Sequence, residues 1–594
     1  MDERSRTPQA GAWPRKAWGS AFWVVAAVLA CALLAGRLPA GDTNAPKGTA
    51  KRAPLKFEIS FGAQVSAAPL DGRMLLLLST DDKQEARHEI SEGLSSQQVF
   101  GTDVDGLAPG SPAIVDQSAV GYPLEKMAEV PAGDYYVQGV LNIYETFHRA
   151  DGHVVKLPMD HGEGQHWDLK PGNLYSKPQK IHVDPAAGGV IRVASTEKIP
   201  PIDPPQGTKY VKYIRIQSSL LTKFWGRPME LGAIVVLPEG WDSHPDAHYP
   251  LLVNEGHFSP SSSAFVTEPP PSTEQGRQRE RDSARYSFYQ DWVAGRVPRV
   301  ILLEIQHPNP YFDDSYAVNS ANVGPYGDAI MHELIPAVEK QFRAIGKGWA
   351  RALYGGSTGG WETLAVQVFY PDDFNGAYCF CPDTVDFRAY QSVNLYDDKN
   401  AFWHEGSWLK MPQPAARTPD DALLATMGSM NQFERALGSH GRSAEQFAIW
   451  QAVFGPVGDD GYPKPIWDPV TGVIDHDVAN YFRDHYDLRY ILERDWKTLG
   501  PKLVGKIHVT VGTRDTYYLD NAVRLLEKFL TTTNYPYYAG DFEYGPHQPH
   551  CWTGGKDLTT FEGYLTVQQR TLRSAVAWME KTAPAGADTQ SWKY

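Results

Sequence analysis

From Tyr210 onward the chain alternates short aliphatic runs with segments of helical spacing, and at one such junction four glycines surround a serine. The stretch is RALYGGSTGGWETLAVQVFYP, Arg351 to Pro371. It reads as a strand, a tight turn at Ser357, and a helix stopped by Pro371. YVKYIRIQ (Tyr210–Gln217), MELGAIVVL (Met229–Leu237), YPLLVNEG (Tyr249–Gly256) and RVILLEI (Arg299–Ile305) read as strands. The later runs are continuously aliphatic, as expected of strands covered on both faces. Ile330, Leu334, Val338 and Phe342 then recur at helical spacing, with Pro336 bending the helix without ending it. Strands alternating with helices specify a mainly parallel α/β sheet. In a chain with 53 glycines the letters Gly355-Gly356-Ser357-Thr358-Gly359 decide little alone. Their place between a strand and a helix decides more, because a tight turn there needs backbone to pass close to backbone.

The front of the chain follows another pattern. From Leu55 to about Val193, LKFEISF, RMLLLLS, DYYVQGVLNIYETF and GVIRVAS alternate with turn signals such as PLDG and VPAGD. Tyr135, Val137, Gly139, Leu141 and Ile143 line one strand face at period two. We expect an all-β sandwich over residues 55–197 and a stiff proline-rich linker, KIPPIDPPQ, before a catalytic domain over 207–585. Within the latter, residues of about 384–500 are expected to form a helical, aromatic lid inserted over the site. WDPVTGVID (Trp467–Asp475) lacks calcium-loop spacing and reads as a turn, and MDHGEGQHWD (Met159–Asp168) as a polar loop. Before all this, Arg4, Arg6, Arg15 and Lys16 precede the apolar run AWGSAFWVVAAVLACALLAG, Ala17 to Gly36. Residues 1–41 therefore read as a signal peptide or an uncleaved signal anchor at 17–36, with a periplasmic or extracellular body.

The net charge of −14 and the lack of a basic block argue against nucleic acid as a partner. The 17 tryptophans and 30 tyrosines suit sugar or aromatic ligands, although packing uses such rings too. Beyond the apolar run only Cys379, Cys381 and Cys551 remain, too few for a disulfide framework. Cys551 with Cys379 or Cys381 could pair after export, and burial as plain thiols is the alternative.

A serine hydroxyl is a weak nucleophile that needs a base within hydrogen-bond reach and a group to orient the base. In this kind of sheet the order along the chain is serine, acid, histidine. Asp515 follows the strand KIHVTVG closely, and is preferred as the acid over Asp520 and Asp383. The loop GPHQPHCWTGG carries His547 and His550; His547 is taken as the base with His550 as its alternative. Thr358 by position, and Gly256 or His257 in VNEGHF, are expected to supply backbone oxyanion donors. No residues stand at metal-ligand spacing around His257, so no metal or cofactor is expected.

The run DDSYAVNSANVGPYGDAIMHELIPAVEKQFRAIGKGWARALYGGSTGGWETL resembles the putative esterase family of α/β-hydrolases. That family includes enterochelin esterases, S-formylglutathione hydrolases, feruloyl and acetylxylan esterases and mycolyltransferases. GPHQPHCWTGG is similar to the enterochelin esterase pattern and places His547 on the catalytic position. The likeness covers roughly residues 210–380 and 500–580, and departs in the long insertion and in the NEGHF loop. It implies a serine esterase acting on a small-molecule or glycan ester of carbohydrate, phenolic or siderophore class. Acyl transfer of the mycolyltransferase kind, and a silent glycan- or siderophore-binding protein, are the other readings. The oligomeric state is not legible in the sequence.

Overall fold

The structure, a computed structural model, describes residues 53–164, 166–257, 265–554 and 562–594. The expected signal or anchor at 1–41 lies outside the described residues. Among the described residues no helix is long and apolar enough to cross a membrane.

Eight strands form one mixed sheet: β1 (Val211–Ser218), β2 (Met229–Val236), β3 (Leu251–Glu255), β4 (Ile301–Gln306), β5 (Arg351–Gly356), β6 (Ala377–Phe380), β7 (Ile507–Gly512) and β8 (Asp541–Gly545). Their spatial order is β1-β2-β4-β3-β5-β6-β7-β8. The β1–β2 and β2–β4 pairs are antiparallel, and every later pair is parallel. The aliphatic runs explain this layout. Leu251, Leu252 and Val253 of β3, and Ile301, Leu302 and Leu303 of β4, are all buried, as strands with helices on both faces require. This C-terminal part is α/β-hydrolase-like. Helix α1 (Gly276–Val293) lies between β3 and β4, and α2 (Ile335–Phe342) precedes β5. Pro336 is at the start of α2, behind a π-helical turn at Ile330–Leu334 that absorbs the register shift, so the helix continues past it. After Ser357 comes α3 (Thr358–Phe369), whose residues Thr358 to Val368 are all buried.

Among the described residues the N-terminal region is β-rich, with 3₁₀ turns as its helical pieces. A three-stranded sheet (Val190–Ser195, Lys56–Phe61, Ala113–Val115) shares one apolar core with a larger sheet built around Gly133–His148 and Leu70–Ser79. Phe57, Ile59 and Phe61 meet Met74, Leu76, Val137 and Leu141 there. The 16-residue strand Gly133–His148 does not stop at that core. Phe147, near its end, packs against Trp225 at 5.2 Å between ring centroids, in the core of the α/β part. The proline-rich segment starts inside the β-rich region too: Ile199 is buried and exchanges backbone hydrogen bonds of 2.9 Å with Gly172 and Asn173.

The insertion between β6 and β7 is helical where the sequence suggests, with α4 (Met427–Leu437), α5 (Gln446–Phe454), α6 (His476–Tyr486) and α7 (Leu488–Leu503). It also holds two small hairpins, Trp403–Glu405 with Lys410–Pro412 and Pro414–Arg417 with Leu423–Thr426, that the helical expectation omits. Their strands span three or four residues, too few for a period to show. The back of the larger β-sheet covers α4: Leu75, Leu77, Val99 and Val140 share a cluster with Phe433, Ala436 and Leu437. Arg73, buried, bonds the carbonyls of Arg435 and Ala436 at 2.8 and 3.1 Å, and its charge is met by Asp103 at 3.0 Å. The β-rich region thus holds the insertion through α4. Trp467–Asp475 is a turn closed by Asp468, which accepts from the N–H groups of Val470 and Thr471.

Candidate active site

The turn at Ser357 is set by what surrounds it. Ser357 has φ +59° and ψ −122°, a conformation that a residue with a β-carbon holds only when its neighbours over-determine it. They do: its N–H donates to Phe380 O at 3.0 Å, and the chain on both sides runs hard against β3. A β-carbon at Gly355 would meet Gly359 O at 2.5 Å, and one at Gly359 would meet Glu255 O at 2.1 Å, so both positions exclude any side chain.

The hydroxyl meets an imidazole, and it is that of His550, not His547. His550 Nε2 is 2.8 Å from Ser357 Oγ, and Nδ1 is 2.7 Å from Asp515 Oδ2. His547 is exposed and is on the outside of a turn. The Gln548 N–H closes back on Gly545 O, which leaves Pro546 and His547 at the corners, and His547 has φ +56°. Proline followed by a residue of positive φ is the pattern of a type II turn. The His547 N–H is pinned to Thr513 Oγ1 at 2.9 Å, so the corner faces away and the chain delivers its next histidine to the serine. That proline was the available signal.

Asp515 is fully buried and does two jobs. Its Oδ1 accepts from the N–H groups of Tyr517 and Leu519, which shapes the turn before α8 (Asp520–Leu530), and its Oδ2 holds His550. Its rival Asp520 is engaged elsewhere, with Arg417 at 2.9 Å. Burial opposes a charge on His550, but the charge and hydrogen bond of Asp515 outweigh it, and the Cys551 thiol adds to them. The imidazole is lifted well above its usual 6.5.

Asp383, the other rival, is also at the nucleophile: its Oδ1 is 3.4 Å from Ser357 Oγ. Its Oδ2 accepts from Tyr316 (2.7 Å), Thr358 (3.1 Å), Gln446 (3.3 Å) and Trp450 (3.4 Å). Burial raises its pKa against these donors. Gln446 and Trp450 come from α5, so the insertion reaches the serine through this carboxylate. Sequence reasoning missed Tyr316, Gln446 and Trp450, whose polar atoms announce themselves only through the shared carboxylate.

Of the expected oxyanion donors, Thr358 opens α3, and Gly256 has φ +118°, where a β-carbon would meet Gly359 Cα and N at 3.2 Å. His257 has partners that no local spacing reveals. Its Nδ1 faces Asp313 Oδ1 at 3.1 Å and Asp314 Oδ2 at 2.8 Å, and its Nε2 is 3.4 Å from Thr358 Oγ1. Burial disfavours charge on His257, but the two aspartates prevail and raise its pKa well above 6.5. His257, Asp313 and Asp314 present one donor atom each within 4.8 Å of one another, as do Cys381, His550 and Cys551. In MDHGEGQHWD the acids serve the loop: Asp160 accepts from Gly162 N–H, Glu163 from His161 N–H, and His161 pairs with Glu145.

A family model described as putative esterase matches residues 298–448. No curated protein matches the sequence. Among solved structures, the chain is similar to a ferulic acid esterase at 13% identity, covering 62% of this chain and 99% of that one with a TM-score of 0.33. It is similar to an S-formylglutathione hydrolase from Agrobacterium tumefaciens at 11% identity, with 64% and 98% covered and a TM-score of 0.30. The fluorophosphonate-binding serine hydrolase F of Staphylococcus aureus gives 16% identity, 62% and 99% covered, and a TM-score of 0.30. Over residues 298–448, the span that carries Ser357, this chain matches the putative esterase family that its strand–turn–helix run resembles.

Proposed function

We propose that the protein is a serine hydrolase of carboxylic esters. Ser357 Oγ attacks the ester carbonyl while His550 Nε2 takes its proton, and Asp515 holds the imidazole in the tautomer that can accept it. The tetrahedral oxyanion is stabilised by the Thr358 N–H at the start of α3 and by the backbone of the Gly256–His257 loop. His550 returns the proton to the leaving alcohol, and water then releases the acyl group by the same steps in reverse roles. The observation that carries this reading is the unbroken chain Ser357–His550–Asp515, with links of 2.8 and 2.7 Å.

The N-terminal run at 17–36 supports an exported enzyme, secreted or tethered. The aromatic insertion that reaches Asp383 supports a substrate with a ring or sugar on the acyl or alcohol side. The test is turnover of acetyl, aryl and feruloyl esters by protein lacking residues 1–41. Ser357→Ala is expected to lose on the order of 10⁴-fold or more in kcat while keeping its melting temperature. Equal turnover by the variant would refute the proposal.

A further inference from the structure

Beside His550 stand two cysteines, Cys381 and Cys551, whose chemistry the ester reaction does not use. Cys551 follows His550 directly, and Cys381 leaves the end of β6, whose Phe380 carbonyl holds the Ser357 N–H. The two Sγ atoms and a ring nitrogen of His550 all lie within 4.8 Å of one another. Both cysteines have positive φ, +37° at 381 and +61° at 551, and Cys381 is further fixed by its N–H on Thr510 O at 2.6 Å. Cys379, two residues earlier, does not compete: it is buried inside β6, and burial alone acts on its thiol.

We propose that Cys381 and Cys551 form a reversible disulfide that ties the base loop to the strand beside the nucleophile. The two sulfurs have complementary roles. Cys551 is exposed, whereas Cys381 is fully buried. Hydrogen bonding from the Cys381 thiol, then from His550, pulls the Cys551 thiol down to about 5, while burial holds Cys381 protonated. Cys551 is therefore the attacking thiolate and Cys381 the resolving thiol. The oxidant is a small or protein disulfide, RSSR. The Cys551 thiolate attacks one sulfur of RSSR, forming Cys551–S–S–R and releasing RS⁻. Cys381 loses its proton to that RS⁻ and attacks Cys551 Sγ, releasing the second R group as a thiolate that takes up a solvent proton. Two protein thiols lose two electrons, and RSSR becomes two RSH. Rotation of the side chains closes the gap to the 2.03–2.05 Å of a bond. Closure removes the thiolate beside His550 and leaves the carboxylates of Asp515 and Asp383 facing the base.

The test uses the full chain treated with glutathione disulfide, alkylated, and mapped without reduction. A peptide pair joining Cys381 to Cys551 is expected in most molecules, is reopened by dithiothreitol, and is equally abundant in Ser357→Ala. That last arm separates the cross-link from the esterase reading, since it asks nothing of the serine. In Cys381→Ser, glutathione is expected to remain attached at Cys551, because no resolving thiol displaces it. Alkylation of both cysteines after oxidation, or linkage of either to Cys379, Cys31 or a second chain, would overturn the proposal.

Discussion

Two loops meet at the reactive oxygen, and they are held in opposite ways. The Gly355–Gly359 turn is fixed by atoms in immediate contact: Glu255 O and Gly359 O occupy the places where β-carbons would go. The Gly545–Trp552 loop is fixed from further off, through Thr513 Oγ1 on the His547 N–H, Gln548 O accepting from Arg514, and Asp515 on His550. A turn shaped by its own sterics declares its purpose in its letters. A loop shaped by anchors in the turn after another strand does not, and its two histidines look alike until the anchors are known.

The contrast is sharpest at the histidines. His550→Ala is expected to lower kcat by on the order of 10⁴-fold, and His547→Ala to leave it within about threefold, the scale of surface substitutions away from such features. Steady-state turnover of one aryl ester decides it. A larger loss at His547 would reverse the description of the loop.

The turn can be broken where it is tightest. Gly359→Ala drives a β-carbon to 2.1 Å from Glu255 O, which should cost about 3 kcal/mol by overpacking. Thermal unfolding reads this as a markedly lower Tm with loss of activity. A substitution in the histidine loop that spares its anchors, such as Gln548→Ala, should leave Tm nearly unchanged, because the anchoring bonds of Gln548 to Gly545 and Arg514 are made by its backbone. Equal effects at the two sites would erase the distinction.

The smallest effect is a shift in pH dependence. Since Asp515 lifts His550 above 6.5, the imidazole stays protonated, and unable to accept the serine proton, to a higher pH than an ordinary histidine. In reduced protein kcat/KM should therefore rise with pH along a limb whose midpoint lies above 6.5, and activity falls as pH drops through it. Cys551→Ser should move that limb to lower pH, since the thiol adds to the lift. A limb at or below 6.5 would contradict the hydrogen bond to Asp515.

What was legible follows the same division. The aliphatic runs at 249–256 and 299–305, the strand into Ser357 and the helix after it declare themselves by local period and by glycine. Asp515 was legible as the candidate acid because it leaves β7 closely; one of its oxygens accepts from the Tyr517 and Leu519 N–H groups and the other meets His550. His547 was preferred to His550, although Pro546 marks the turn that sets His547 aside. The partners of His257 were hidden because Asp313 and Asp314 stand 56 and 57 residues along the chain. The grip of Arg73 on α4 spans more than 360 residues, so the packing of the β-rich region on the insertion had no local trace.

One measurement addresses the central claim, that an alcohol at 357 is made reactive by the histidine at 550. Protein lacking residues 1–41 is treated with a fluorophosphonate, and the modified peptide is sequenced by mass spectrometry. The adduct is expected on Ser357, formed quickly in the unaltered protein, slowed by at least on the order of 10³-fold in His550→Ala, and formed at the normal rate in His547→Ala. Labelling at another residue, or undiminished labelling of Ser357 without His550, would contradict it.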